Sequence, residues 1–385
     1  MTDKTDKDKV LVLACEDYNI ELIKEKIKAA LKPLGGLKKF VDCDQKVLLK
    51  ANLLMAKKPE AGITTHPAVV QAVAELVIEI GAEVIIGDSP GGPFNKTVMK
   101  RLYQKTAMTK VADNTAANLN WNFARHTKNT STAKILNQLT IGQFIAEADV
   151  IINLPKFKTH GLTKMTGGVK NMFGAIPGLL KAEYHMKMPK IDNFADVLLD
   201  VALATKPQLT IVDGIIAMEG EGPSSGERYE LNRLLMGANP LAVDVVMAHL
   251  VGINPEAVAT IAAAARRNLV HDINQIDYLG LETKVGQFKT PTIDSSAQLL
   301  DRRLPSFLAH WVREWVKPKP VFNEQQCIQC GACITGCPPQ VISKTETGVE
   351  ADLDDCIRCF CCQELCPEDA VEIHRPWLGK LLFGK

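Results

Sequence analysis

Two cysteine runs near the C-terminus constrain this chain more than any other feature. The first reads Cys327-Ile-Gln-Cys-Gly-Ala-Cys-Ile-Thr-Gly-Cys-Pro. Seventeen residues after that proline, the second reads Cys356-Ile-Arg-Cys-Phe-Cys-Cys-Gln-Glu-Leu-Cys-Pro. Each is C-x2-C-x2-C-x3-C-P, in which three close thiolates reach three irons of one 4Fe–4S cubane and the fourth is carried by its proline toward the other cluster. Crossed ligand sets are therefore expected. Cys327, Cys330, Cys333 and Cys366 hold one cluster, and Cys356, Cys359, Cys362 and Cys337 hold the second. Zinc sites use separated C-x2-C pairs and need no third cysteine or C-P. Disulfides do not suit eleven cysteines, an odd number, behind an N-terminus that is charged and has no apolar signal region. Cys361 lies inside the second run but off its spacing, and reads as a bystander.

A module of this kind at residues 321–376 leaves most of the 385 residues for another body. The expected division is an α/β body over 9–300, a helix and linker over 301–320, the cluster module, and an apolar tail over 377–385. Composition is ordinary for a globular protein, at 46% hydrophobic and 23% charged. No apolar run is long enough for an integral membrane segment. Clusters and free thiols point to the reducing cytoplasm of an anaerobic or microaerobic prokaryote. The net charge of +1 hides an asymmetry: residues 321–376 carry −7 and the remainder +8. That suits docking of an acidic electron module, and equally a module made acidic for solubility. No basic stripe with interleaved aromatics is present, so nucleic acid is not an expected partner.

Along the body, Val10–Cys15 has strand composition and Ile20–Leu31 has helical periodicity. A buried strand is expected over Lys46–Leu54. Thr65 is the expected cap of a helix with Pro67 in its first turn. Glu83–Gly87 is a further strand, so the unit is βαβ and the sheet mainly parallel with flanking helices. Residues 95–140 are less legible, apart from a helix starting near Thr97. Strands are expected at Ala148–Leu154, Gln208–Asp213 and Asn232–Gly237. Helices are expected at Asn193–Ala204, Leu241–Val251 and Pro255–Arg267, with Gly214–Gly226 a glycine-rich loop. Phe307–Val316 is an amphipathic aromatic segment leading into Lys317-Pro-Lys-Pro, a stiff linker. The tail Trp377–Lys385 is read as packing on the body, with membrane-surface binding as the alternative.

Ligands of open parallel sheets bind beyond the carboxyl ends of the strands. That rule selects Lys50 and Asn52; Asp88 and Ser89; Lys156, Lys158 and His160; and Asp213, Glu219 and Glu221. If the chain stays extended after Leu154, Lys156, Lys158 and His160 point to one side and line one wall. Lys170 and Asn171 follow in a glycine-bearing loop. Clustered ammonium groups are tolerated where they meet an anion, although a solvated strand edge fits the same pattern. Glu219 and Glu221 flank a loop that is no dinucleotide fingerprint, and suit a divalent metal or acid/base work. His66, His185 and Asp244 are weaker candidates. No G-x-S-x-G, H-E-x-x-H or Walker loop supports a hydrolase or NTPase.

Asn153-Leu-Pro-Lys-Phe-Lys-Thr-His-Gly, Gly168-Val-Lys-Asn-Met-Phe-Gly and Asp213-Gly-Ile-Ile-Ala-Met-Glu-Gly-Glu-Gly-Pro resemble domain of unknown function 362, as do Lys50-Ala-Asn and Gly87-Asp-Ser-Pro. The resemblance spans roughly residues 9–260. It implies a bacterial or archaeal iron–sulfur protein whose body is fused to a ferredoxin-type two-cluster module, and it supplies no reaction. The residues themselves suggest an oxidoreductase that passes low-potential electrons from the module to an anionic small molecule in the body. Lys50, Asn52, Lys156, Lys158, Lys170 and Asn171 would bind that substrate. His160 would supply protons, with Glu219 or Asp88 as second acid/base. The alternative is an electron-transfer or docking subunit for a redox partner protein. A third reading, a cofactor- or metal-handling protein, would use the carboxylates and Cys361.

Overall fold

The computed structural model describes residues 9–131, 133–269, 273–280, 285–291 and 318–374. The leader 1–8, the aromatic segment Phe307–Val316, most of the expected 301–320 linker and the tail Trp377–Lys385 lie outside the described residues.

One large sheet organises the body. Its strands are β1 (Lys9–Ala14), β2 (Lys46–Ala51), β3 (Glu83–Gly87) and β4 (Asn118–Leu119), then, past a separate hairpin of β5 (Arg125–Asn129) and β6 (Gln138–Gly142), β7 (Val150–Leu154), β8 (Lys156–His160) and β9 (Lys164–Thr166). They are followed by β10 (Leu209–Glu219), β11 (Glu227–Gly237) and β12 (Asp277–Leu279). The order is β12-β1-β11-β10-β7-β2-β3-β4, with β8 beside β10 and β9 beside β8. From β10 to β4 every pairing along this path is parallel, as the βαβ spacing predicts. β11 runs antiparallel to both β1 and β10, so the sheet is mixed around a parallel centre.

The central strands are apolar on both faces because helices cover both. In β2, Val47 and Leu49 join the core under helices Ile20–Leu31 and Pro67–Ile78. Leu48, pointing the other way, joins the core under helix Ile191–Thr205. The predicted Ile20–Leu31 helix is found as read, with Asn19 Oδ1 accepting from Leu22 N. The cap of the next helix is His66, whose Nδ1 accepts from Ala68 N. Thr65 is not the cap. Its hydroxyl donates to Leu154 O at 2.6 Å and accepts from Asn52 N at 2.8 Å, tying the ends of β7 and β2 together.

The first part of the expected loop Gly214–Gly226 is strand, and only 220–226 turn. β10 continues through a bulge between Gly214 and Ile216 to Glu219, forming an 11-residue antiparallel partner for β11. The glycines that suggest a loop accommodate close approach instead: a Cβ at 214 would stand 2.9 Å from Arg233 O. The Ala-rich helix is also shorter than expected, at Ala259–Arg266 behind a single 3-10 turn, Pro255–Ala257.

The cysteine runs occupy a small α+β unit. Strands β13 (Lys319–Phe322) and β16 (Val371–His374) pair antiparallel, as do β14 (Ile342–Lys344) and β15 (Val349–Ala351). Short helices Ala332–Thr335 and Cys361–Leu365 lie between them. This unit seats on the body through Lys57–Asp369 at 3.0 Å, and through Leu365 against Gly91.

The turn after β9 shows why glycine is needed in the family-like motif. A Cβ on Gly167 would collide with the Asp244 carboxylate, which accepts from Gly168 N and Val169 N and so caps helix Gly168–Asn171. At the other end, a Cβ on Gly174 would collide with Asp88 Oδ1 and stand 2.6 Å from Lys50 Nζ. We expect Gly174→Ala to cost about 1–3 kcal/mol by forcing that ion pair to move, a cost typical of overpacking. Urea unfolding measures it, and an unchanged midpoint would show that the pair yields freely.

Candidate functional site

At the carboxyl ends of β2, β3 and β7 the structure gathers buried polar groups rather than solvated ones. Lys50 is fully buried, and its Nζ meets Asp88 Oδ1 at 2.7 Å and Ala51 O at 2.8 Å. Asp88 is saturated, since Oδ1 also accepts from Ser89 N and Oδ2 from Leu53 N at 2.7 Å. Three amides continue the network. Asn52 Nδ2 donates to Asn171 Oδ1, and Asn171 Nδ2 to Asn153 Oδ1, each at 2.8 Å; Asn153 Nδ2 donates to Gly168 O at 2.9 Å. A network in which each of these amides has a partner fixes the site's floor.

Above this floor is a partly open cavity. The body contributes Asn52, Asp88, Ser89, Lys158, Thr166, Lys170, Asn171, Lys181 and His185 to its polar lining. The cysteine-rich unit contributes Gly336, Cys361, Glu364 and Leu365. Phe173, Leu54, Pro90 and Pro223 supply apolar surface. The cavity therefore lies between body and module, and neither encloses it alone.

Its cations are unusual in their partners. Lys158 Nζ donates to Ile63 O at 2.8 Å and Asn52 Oδ1 at 3.2 Å, with no carboxylate in ion-pair range among the described residues. Burial, aided by nearby Lys170, lowers it to about 7. Lys181 Nζ is held by Ile176 O at 2.6 Å, Ser89 O at 2.8 Å, Pro90 O at 3.1 Å and Ser89 Oγ at 3.2 Å. Burial lowers it too to about 7. Lys170 faces Glu364 and Cys361, and burial lowers its amine as well. Burial holds His185 at about 4, so its imidazole is neutral at pH 7. Burial alone would raise Glu364, but His160, Lys170 and His185 hold its carboxyl at about 2.

The expected wall of Lys156, Lys158 and His160 is divided. All five β8 residues are buried, and the strand pairs with both β10 and β9, which removes the solvated-edge alternative. Lys158 lines the cavity. Lys156 is bound instead to Asp213 Oδ2 at 2.8 Å and to Tyr18 OH at 2.9 Å, outside the cavity lining. Asp213 also accepts from Tyr18 OH and His66 N, so this constellation is a closed structural network. His160 sits behind the cavity. Its Nδ1 accepts from Leu162 N at 3.0 Å, which leaves the proton on Nε2, 3.0 Å from Glu364 Oε1 but without an aligned hydrogen bond. Glu219 is also outside the lining: its Oε2 accepts from Lys289 N at 2.8 Å and Oε1 lies 3.5 Å from Lys289 Nζ. Among the described residues, no three His, Cys, Asp or Glu side chains converge on a single metal ion. Lys181, Glu364 and Cys361 were missed as cavity residues by sequence reasoning. Lys181 lies on a helix, away from any strand end, and the other two are hidden inside a run that reads wholly as cluster wrapping.

The eight thiols separate into two cavities. One is lined by Cys327, Cys330, Cys333 and Cys366, and the other by Cys337, Cys356, Cys359 and Cys362. Backbone amides point at the sulfurs, with Arg358 N donating to Cys356 Sγ and Ala370 N to Cys366 Sγ. Four thiols around an otherwise mostly apolar cavity, with amide N–H groups on the sulfurs, fit the donor set of a cubane cluster. Cys361 neighbours Cys359 and lines the body cavity, so it stands between the second thiol set and the body's polar site.

Residues 47–249, just over half of the chain, match the domain of unknown function DUF362, and the chain belongs to that family. Residues 319–367 match a 4Fe–4S dicluster domain, so the module is an iron–sulfur, ferredoxin-type electron-transfer unit. The thylakoid-associated protein sll1697 of Synechocystis sp. is 35% identical over 266 residues, covering 68% of this chain and 79% of that protein. The pyruvate synthase subunit PorD of Methanothermobacter marburgensis is 38% identical over 61 residues, 16% of this chain and 72% of the subunit. Among solved structures, the lactate racemase apoprotein of Thermoanaerobacterium thermosaccharolyticum aligns at 13% identity and a TM-score of 0.39, over 62% of this chain and about half, 55%, of that one. No helix among the described residues is long and apolar enough to cross a membrane.

The two thiol cavities make separable demands. Cys359→Ser should remove roughly half of the bound iron of a two-cluster protein, whereas Cys361→Ser should remove none. Iron and sulfide analysis of anaerobically reconstituted protein checks both, and iron loss in the Cys361 variant would make that residue a ligand.

Proposed function

We propose that this protein is an iron–sulfur oxidoreductase that passes low-potential electrons from its ferredoxin-type module to an anionic small molecule held between module and body. The observation that carries this reading is the composite cavity. Its walls join cations without carboxylate partners on the body to the module helix that bears Cys361 and Glu364. In this reading Cys327, Cys330, Cys333 and Cys366 hold one 4Fe–4S cluster and Cys337, Cys356, Cys359 and Cys362 the other. Bound clusters supply one-electron steps, and two of them suit a two-electron reaction.

The chain's own residues then have distinct tasks. Lys158 and Lys170 hold the anion, and the Ser89–Lys181 group sets the far wall. Phe173, Leu54 and Leu365 exclude water, which strengthens every charge interaction inside. Lys50, Asp88, Asn52 and Asn171 position the floor and are internally satisfied. Lys156 and Glu219 act away from the substrate. A second reading, a docking subunit with no substrate of its own, draws support from the likeness of the module to PorD, which is named as a subunit, and from the module's charge of −7.

The test is reoxidation of the reduced protein by pools of anionic metabolites after the reductant is removed, followed by visible absorbance. A productive pool should act at least tenfold more slowly on Lys158→Met or Lys170→Met, with iron content unchanged, because loss of one close buried charge contact exceeds the 1.4 kcal/mol that a factor of ten requires. Silence from every pool on intact wild type favours the docking subunit. pH gives a second check. Lys158 and Lys181 are charged below about 7 and lose their protons above it. Anion affinity should therefore fall as pH rises from 6 to 9, with protons taken up on binding at pH 8. Calorimetry in buffers of different ionisation heat reads that uptake, and its absence would mean that other groups bind the anion.

A further inference from the structure

We propose that Lys170, Thr166 and the Nε2–H of His160 form a carboxylate subsite, which Glu364 of the module fills until a substrate carboxylate takes its place. The inference rests on reading the cavity as the substrate site, and it names both the recognised group and the group that competes with it.

Lys170 and His160 both face Glu364, Thr166 lines the same cavity, and none of the three has an aligned acceptor among the described residues. Thr166 is 3% exposed, lines the cavity, and its hydroxyl has no hydrogen-bond partner. His160 is 2% exposed and must donate through Nε2, because Nδ1 accepts from Leu162 N, yet Nε2 lacks an aligned acceptor. Lys170 has no carboxylate in ion-pair range among the described residues. The acceptor at hand is Glu364, whose Oε1 lies 3.0 Å from His160 Nε2. Buried donors without aligned acceptors are costly and uncommon. A carboxylate that faces Lys170 and His160 but aligns with neither behaves as a placeholder. A free carboxylate, not tethered to a module helix, has two oxygens with which to meet these donors.

The placement also links binding to the module. Glu364 lies on helix Cys361–Leu365, between Cys362 of one thiol set and Cys366 of the other. Displacing it moves a negative charge carried by the segment that joins both sets.

The experiment uses the reconstituted holoprotein with iron content verified, and measures binding of acetate, malonate and inorganic phosphate by anaerobic calorimetry. Wild type is compared with Glu364→Gln, with Glu364→Gln/Thr166→Val, and with Glu350→Gln, which removes the same charge from an exposed strand outside the cavity. Glu364→Gln should bind malonate about tenfold or more tightly than wild type, since a charged competitor is lost. Glu350→Gln should not, and Thr166→Val should reverse most of the gain. Phosphate binding more tightly than either carboxylate would overturn the carboxylate assignment. Equal or weaker carboxylate binding by Glu364→Gln, with iron intact, would overturn the placeholder role while leaving the anion site standing. If none of the anions binds either protein, yet an uncharged compound reoxidises the clusters and is blocked by filling the cavity, the anionic-substrate reading fails and this inference with it.

Discussion

The structure depends on taking five lysine amines out of water, those of Lys50, Lys156 and Lys158 on strands and of Lys170 and Lys181 on helices. Each such burial costs several kcal/mol unless a partner compensates. Lys50 and Lys156 are compensated by Asp88 and Asp213 at 2.7 and 2.8 Å, and their neighbours then saturate those carboxylates. Lys158, Lys170 and Lys181 have no such partner among the described residues, and rest on carbonyls, an amide and a hydroxyl or face Glu364 across the cavity. The body therefore holds amines that burial has shifted toward their neutral form, and the acidic module lies over them. That burial cost is the physical basis of the proposed anion site.

That division explains what was legible in the sequence. The cysteine spacings stated the crossed thiol sets outright, because a cubane imposes one geometry and the chain has to supply it locally. The parallel centre followed from strand–helix–strand spacing, and the rule that strand ends carry sites selected Lys50, Asn52, Asp88 and Lys158, which the structure gathers in and beneath one cavity. What the rule could not do was separate a lysine that lines the cavity from one that faces an aspartate 57 residues away. Lys156 and Lys158 have the same spacing pattern, and only the register of β8 against β10, with its shift between Asp213 and Met218, assigns them different surroundings. Glu219 misled for a related reason. The glycines after Asp213 read as a loop, but they admit close backbone contacts within a long hairpin.

Cys361 and Glu364 were illegible for the opposite reason. Local pattern at Cys356–Pro367 is so dominated by cluster ligation that its intervening residues carry no separate signal. Their meaning comes from docking of the module, which turns one side of the helix Cys361–Leu365 toward the body. The thiol of Cys361, in contact with Cys359, and the carboxylate of Glu364, near His160, are the places where the two halves of the chain share chemistry. An electron module held only by a flexible linker would need neither.

Crystals of the reduced or oxidised holoprotein, with anomalous diffraction collected at the iron edge, test the central claim most directly. The account predicts two iron centres, one within each thiol-lined cavity, with the second beside Cys361 at the wall of the body cavity and Glu364 still facing His160. Two centres in a module turned away from the body, with the contact between Glu364 and His160 broken, would contradict it.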